Sequence, residues 1–193
     1  MSPELRLIAA PRETYALLVR GGVRPASMLT AARRPLLVAL VLGVSTAIAA
    51  TRSVTPALVS STTLAWSYVV IAQLAIAVPL IAGPARRTVG LARAIDLFFA
   101  GHAPWSLFML LAAAWGFLPG GSPAWPLAAA ALIPCVLTAR IVGAFFLEVL
   151  ALDARAARRR TVLQQVVTWT VFVSVNWAAS AFTPRLIQLA GRL

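Results

Sequence analysis

The chain has 193 residues and a formal net charge of +12 at pH 7, with 61% hydrophobic and only 11% charged residues. A soluble domain carries about 25% charged residues because its surface faces water, so this composition excludes an ordinary soluble globular protein. The apolar residues form long runs without charge, at 53–85, 103–139 and 161–184. Since a helix needs roughly 20 mostly apolar residues to cross a bilayer, the sequence predicts an all-α fold. We expect a polytopic membrane helical bundle of about five transmembrane helices with two interfacial amphipathic helices.

The basic residues indicate a lipid partner rather than a nucleic acid. All of them are arginines, and they cluster at the ends of the apolar runs. This placement is typical of a membrane protein whose arginines contact anionic lipid headgroups. The alanine-rich, arginine-only composition is typical of a bacterial protein from a GC-rich genome. The sole cysteine, Cys135, lies in an apolar run and can form no disulfide within the chain.

The first predicted element lies in the segment 1–34, which we expect to be cytoplasmic and amphipathic. A helix can begin at Pro11 and must end before Gly21 and Gly22. Tyr15, Leu18 and Val19 then share one face at i, i+3 and i+4. This pattern indicates a short helix lying on the cytoplasmic membrane surface, and a disordered basic tail is the alternative.

The transmembrane domain is predicted at 35–184, with crossings at about 35–52, 62–82, 103–118, 124–150 and 162–182. Gly83 and Pro84 should end the second crossing, and the amphipathic stretch 86–100 indicates the second interfacial helix. A tight turn is predicted at 119–123 because it is rich in proline and glycine. Pro134 should break or bend the fourth crossing, 153–160 should be a charged loop, and 185–193 should be a tail.

The distribution of arginines predicts the orientation of the chain. Thirteen arginines fall in the segments that share a side with the N-terminus, and three fall on the opposite side. By the positive-inside rule, the N-terminus is cytoplasmic and the C-terminus is outside, which requires an odd number of crossings. We expect the protein in the bacterial cytoplasmic (inner) membrane.

Arg140 is the one charge that lies within a predicted crossing. It can pair with a carboxylate or bind an anionic headgroup or substrate, or it can extend to the cytoplasmic phosphates. Glu148 is eight residues further on, where a direct pair within one helix has poor geometry. Asp96 could reach Arg140 only through tertiary packing, and a local pair with Arg93 is the simpler account. Arg140, Glu148, Asp96 and His102 are the candidate lipid- or ligand-binding residues.

The remaining polar residues favour structural roles. His102 is the only histidine and cannot form a metal site alone, so it is either a polar residue at headgroup level or a proton carrier. Gln73 and Asn176 lie inside crossings, where interhelical hydrogen bonds explain them. The six tryptophans fit an aromatic belt and packing between helices, with a ligand-binding cage as the alternative.

No hydrolase, metalloprotease or phosphate-binding motif occurs in the sequence. We therefore expect no enzyme activity, no catalytic residues and no cofactor.

Two short motifs are similar to segments of a known family. Pro11-Arg12-Glu13-Thr14 precedes the first crossing, and the amphipathic stretch 91–95 runs into His102-Ala-Pro-Trp105. With the five-crossing layout, these segments resemble bacterial members of the Yip domain family, whose eukaryotic members interact with Rab GTPases. The resemblance implies a cytoplasmic N-terminus, five crossings and an outward C-terminus, and it transfers no functional residue.

Two functions fit these features. The first is a scaffold or accessory subunit that binds lipids or partner membrane proteins, including further copies of itself. Short loops, many small residues and the two amphipathic helices favour it. The alternative is a small transporter or channel subunit that uses an intramembrane site around Arg140. The predicted break at Pro134 and the polar residues Gln73 and Asn176 favour this second function.

Overall fold

A computed structural model describes residues 3–21, 27–116 and 125–190. All the regular elements within those ranges are helical. They are α1 (Pro3–Ala9), α2 (Pro11–Arg20), α3 (Met28–Thr51), α4 (Pro56–Arg87), α5 (Leu91–Ala100), α6 (Ala103–Trp115), α7 (Trp125–Ala130), α8 (Leu132–Ala144), a π-helical segment (Phe145–Val149) and α9 (Ala154–Ala190). The predicted turn at 119–123 lies outside the described residues.

Four helical stretches are long and apolar enough to cross a membrane, which is the composition expected of an integral membrane protein. They are Ala31–Thr51, Pro56–Arg87, Leu91–Trp115 and Trp125–Val149. Helix α9 has 37 residues, which is ample length for a crossing, but it is not among the four. Gln164, Gln165 and Asn176 lower its hydropathy. The fifth crossing and the interfacial placement of α2 and α5 stay predictions.

The helix predicted from Pro11 to Gly21 is confirmed as α2. It packs against the π-helical segment and α8. Tyr15 of α2 is fully buried, and its hydroxyl donates to the Leu97 carbonyl at 3.1 Å. The Leu97 carbonyl lies near the C-terminal end of α5. The Gly101 N–H at this end donates to the carbonyl oxygens of Phe98 and Phe99 and not to that of Leu97. Burial raises the pKa of the Tyr15 phenol above its usual value, with Arg34 opposing the rise, so the phenol stays a hydrogen-bond donor.

Prolines proved to be poor markers of helix ends in this chain. Helix α3 begins at Met28 rather than at Pro35, and Pro35 lies within it. Helix α4 begins at Pro56, capped by the Thr55 hydroxyl that accepts from the Leu58 N–H at 3.3 Å. It contains Pro79 and Pro84 and ends only at Arg87, so the predicted end at Gly83 and Pro84 was wrong. A long apolar helix tolerates a proline where another group bonds the carbonyl that the proline leaves free.

Such a group is visible at Pro84. A proline lacks the N–H that would bond the carbonyl four residues earlier, here Leu80. The guanidinium of Arg160, in the first turns of α9, donates a hydrogen bond to the Leu80 carbonyl oxygen. Arg160 therefore replaces the missing backbone donor and ties α9 to the end of α4.

This contact predicts a specific coupling between two substitutions. Arg160→Ala leaves the Leu80 carbonyl without a donor and should cost about 1–3 kcal/mol of unfolding free energy. In a Pro84→Ala background the backbone N–H returns, and the same arginine substitution should cost clearly less. Unfolding titrations of the four proteins in mixed micelles measure this difference. Arg159→Ala, at an exposed neighbouring position, is the control and should be close to neutral. Equal costs of Arg160→Ala in both backgrounds would contradict the assignment.

The region predicted as a charged loop at 153–160 is helical from Ala154 onwards, so that prediction was wrong. Asp153 accepts the Ala156 N–H at 2.9 Å, which starts α9 at Ala154. An aspartate that accepts from the N–H three residues later is a common helix start, and the four arginines that follow lie in the first turns of α9. At its other end α9 continues through Pro184 to Ala190, so the predicted tail at 185–193 is partly helical.

The stretch predicted as the fourth crossing is interrupted near Pro134. Helix α7 ends at Ala130 and α8 begins at Leu132. The break falls where the carbonyl four residues before the proline has no backbone donor. Helix α8 is followed directly by the π-helical segment, and Ala151 after it has a φ of +50°.

Helices α3 and α4 pack closely because α3 presents small residues at intervals of four. Ala39, Gly43 and Ala47 are buried on one face, and the Thr62 hydroxyl of α4 donates to the Gly43 carbonyl at 2.8 Å. Small side chains let two membrane helices approach until van der Waals contacts form between backbones. This pair forms one wall of the cavity described next.

Candidate functional site: a cavity between four helices

A partly open cavity of about 140 Å³ lies between α3, α4, α9 and the start of α6. Its lining is mainly apolar, with rings from three helices and four polar side chains. The aromatic residues are Trp66, Tyr68, Trp105, Trp169 and Phe172, and the polar ones are Gln73, His102, Ser106 and Thr168. A concave apolar space with a few convergent polar groups is the usual form of a small-molecule site.

The aromatic side of the cavity joins α6 to α9. The rings of Trp105 and Trp169 lie 5.3 Å apart, and Phe172 meets Trp169 edge-on at 5.8 Å. Trp66 and Tyr68 of α4 stack with centroids 5.9 Å apart. Rings at these separations attract one another and hold defined positions. Five aromatic rings thus line one cavity, and a ligand-binding cage stays a prediction.

The polar side of the cavity joins α4 to α9. The Gln164 amide donates to the Gln73 oxygen at 3.2 Å and to the Thr168 hydroxyl at 3.2 Å. Further along α9, the Asn176 amide donates to the Tyr68 hydroxyl at 3.1 Å. Gln73 and Asn176 thus each bond a side chain of the opposite helix, as interhelical hydrogen bonding predicts. These bonds hold α9 against α4. The polar residues that make α9 less apolar are therefore the ones that bond it to its neighbour.

His102 is the most unusual residue of the cavity. It is 8% exposed, its ring stacks on Phe99 at 4.9 Å and meets Phe98 edge-on at 5.3 Å. The Phe98 carbonyl interacts with the ring, but among the described residues no group makes a hydrogen bond to Nδ1. Most buried polar atoms in proteins have a hydrogen-bond partner, because leaving one unpaired is costly. The sequence did not indicate that His102 would face a cavity.

Asp96 lies in a separate ion cluster, formed by Glu4, Arg34, Arg93 and Asp96. The Asp96 carboxylate is 2.6 Å from Arg34 and 3.0 Å from Arg93, and Arg34 is also 3.1 Å from Glu4. The cluster joins α1, α3 and α5. The pair with Arg93 is the one that the sequence favoured, whereas the contact with Arg34 depends on tertiary packing that no sequence pattern reveals.

Glu148 and Arg140 do not meet. Glu148, in the π-helical segment, pairs with Arg12 of α2 at 2.9 Å. Arg140 is exposed on α8, and within the described parts of the chain it forms no ion pair. It does not line the cavity. The four candidate residues therefore lie in four separate places, and of these four only His102 lines the cavity.

No protein-family model, curated protein or solved structure matches the chain. The resemblance to the Yip domain family stays a prediction from the sequence. Within the described residues, no three histidine, cysteine or acidic side chains are grouped as metal ligands. The cavity and the ion cluster are the features from which a function can be argued.

Proposed function

We propose that this chain is an integral protein of the bacterial cytoplasmic membrane that acts as a scaffold or accessory subunit and binds a lipid within its helical bundle. In this proposal α9 is the fifth crossing, the N-terminus is cytoplasmic and the C-terminus is outside, as in the Yip-like layout. The four apolar stretches support membrane insertion. The length of α9, and its hydrogen bonds to α4 along one side, support a fifth helix in the bundle.

The observation that carries the proposal is the apolar cavity. Within a bilayer, a cavity lined by Val38, Ile76, Trp105 and Trp169 is surrounded by lipid tails that can fill it. Filling restores the dispersion contacts that empty space forfeits. A lipid held by four helices would also fix the arrangement of those helices. A fixed bundle fits a scaffold better than an enzyme.

The outward faces of the bundle support contacts with lipid or with a partner membrane protein. Leu64 and Ile71 of α4 and Val166, Val173 and Trp177 of α9 are all exposed. In water such a surface would aggregate, but in a bilayer it is solvated by lipid chains or covered by another helix. Both partner classes therefore remain part of the proposal, a second copy of this chain included.

Arg140 fits contact with anionic headgroups better than transport. A transported anion would need its binding arginine to face an internal path, but Arg140 lies on the exposed side of α8 and away from the cavity. An exposed arginine near a helix end can extend its guanidinium to lipid phosphates. We therefore keep the transporter as the weaker candidate, favoured only by the presence of a cavity.

The test is lipid retention. The protein is extracted in native-lipid particles, washed into detergent and analysed by native mass spectrometry. We expect a retained lipid on the unaltered protein and its loss in Ala72→Phe, which places a ring in the cavity that Ala72 lines. Ala75→Phe, at an exposed position on the same helix, is the matched control and should keep the lipid. Equal retention in both variants would overturn the proposed site, and a stoichiometric bound protein would identify a partner.

A further inference from the structure

His102 and Ser106 place hydrogen-bonding groups at one end of an otherwise apolar cavity. They are four residues apart, at the start of α6, and so share one face of the helix. Both line the cavity, and within the described parts of the chain the buried Nδ1 of His102 makes no hydrogen bond. Gln73 and Thr168, by contrast, bond Gln164. The polar groups of the cavity that are not bonded to Gln164 thus lie at the start of α6.

From this arrangement we infer that the cavity takes an uncharged lipid alcohol, with its hydroxyl at His102 and its ring or chain end against the tryptophans. The inference rests on the proposed function and names the class of ligand. A hydroxyl is both donor and acceptor, so it can pair with the imidazole of His102 in either of its tautomers.

Charge supports an uncharged ligand. Among the described residues that line the cavity, none is acidic or basic apart from His102. Asp96 and its two arginines lie in their own cluster, where they neutralise one another. A carboxylate or phosphate placed in the cavity would be desolvated without a counter-ion, which is strongly unfavourable in an apolar site.

Size limits what can be enclosed. An apolar protein cavity of about 150 Å³ accommodates a benzene ring, and this cavity has about 140 Å³. It therefore holds a single ring or the end of a chain rather than a complete two-chain lipid. The remainder of a longer ligand would extend between the helices into the surrounding lipid.

The test uses three probes that share one brominated ring: 4-bromobenzyl alcohol, 4-bromotoluene and 4-bromobenzoate. Bromine quenches nearby indole fluorescence, and Trp66, Trp105 and Trp169 report from the cavity wall. Titrations are made on the full chain in nanodiscs, with partition of each probe into empty nanodiscs subtracted. We expect saturable quenching by the alcohol at about tenfold lower concentration than by the toluene, the size of effect for one hydrogen bond. The benzoate should bind weakest.

Variants separate the ligand class from the site. In His102→Phe the alcohol should lose its advantage while the toluene binds as before, and in His102→Gln, which keeps an amide donor and acceptor, part of the advantage should return. Ala72→Phe should abolish saturable quenching by all three probes. Equal affinities for alcohol and toluene in the unaltered protein, or tightest binding of the benzoate, would overturn the ligand class and leave the lipid site standing. If no probe quenches saturably, or the quenching is unaffected by Ala72→Phe, the proposed function fails as well.

Discussion

Gly43→Ala should destabilise the bundle more than an alanine at any other glycine that the structure describes. A Cβ atom at Gly43 would lie 2.7 Å from both the Cα and the backbone N of Thr63. These are backbone atoms of α4, so the clash is relieved only if the two helices separate. Adding a methylene to a packed core costs about 1–3 kcal/mol when side chains can adjust, and we expect at least the upper end of that range here. Separation would also weaken the hydrogen bond from Thr62 to the Gly43 carbonyl.

The control is Gly83→Ala, which adds the same methyl group to a helix with nothing within 4 Å of the new atom. Alanine is favoured over glycine in a helix by about 1 kcal/mol, so this variant should be as stable as the unaltered protein or more so. Unfolding temperatures in detergent, followed by tryptophan fluorescence, compare the two. A Gly43→Ala protein that unfolds at or above the temperature of Gly83→Ala would contradict the close approach of α3 and α4.

The second large effect is expected at Asp96. Its side chain is 7% exposed and faces two arginines whose side chains are about a quarter exposed. Removing one partner of a buried ion pair costs about 3–5 kcal/mol because the remaining charge is left uncompensated. We expect Asp96→Asn to fall at the lower end of that range, since water and Glu4 can still compensate Arg34 in part. Helix α5 and the N-terminal helices should loosen together, which proteolysis of the N-terminal segment can detect.

Glu148→Gln is the matched control for Asp96→Asn. It makes the same carboxylate-to-amide change in the pair with Arg12, whose side chain is 68% exposed. Exposed ion pairs contribute about 0.2–1 kcal/mol, so this substitution should change the unfolding free energy little. Costs of similar size for the two substitutions would show that the cluster around Asp96 is not the buried anchor described above.

The apolar runs were sufficient to predict a helical membrane-type fold, and helix α2 was located from Pro11 and the glycines that follow it. The ends of the helices were harder to predict, because a proline usually marks the end of a helix and several prolines here lie within one. Pro84 stays inside α4, since Arg160 bonds the carbonyl that it frees. That donor comes from a segment far away in sequence, so no local pattern could reveal it. The start of α9, by contrast, has a local signal, because the Asp153 carboxylate accepts the Ala156 N–H.

The candidate residues show a similar division. Gln73 and Asn176 were assigned to interhelical bonds because a polar side chain inside a crossing must find a partner, and the partners are Gln164 and Tyr68. Asp96 was matched to Arg93 by local spacing. Its second partner, Arg34, and the position of His102 at a cavity follow from how the helices cross. Such contacts depend on the packing of helices distant in sequence, which a single sequence does not encode in any readable spacing.

The position of α9 tests the account most directly, because Thr168, Trp169 and Phe172 of this helix form one side of the cavity. Single cysteines are placed in a Cys135→Ala background at Ser53, at Arg155 and after Leu193, and spheroplasts are treated with a thiol reagent that cannot cross membranes. We predict labelling of the cysteines at Ser53 and after Leu193, and labelling at Arg155 only once the membrane is permeabilised. If the cysteine after Leu193 is protected together with that at Arg155, α9 does not cross the membrane, and a lipid site between α9 and its neighbours is contradicted.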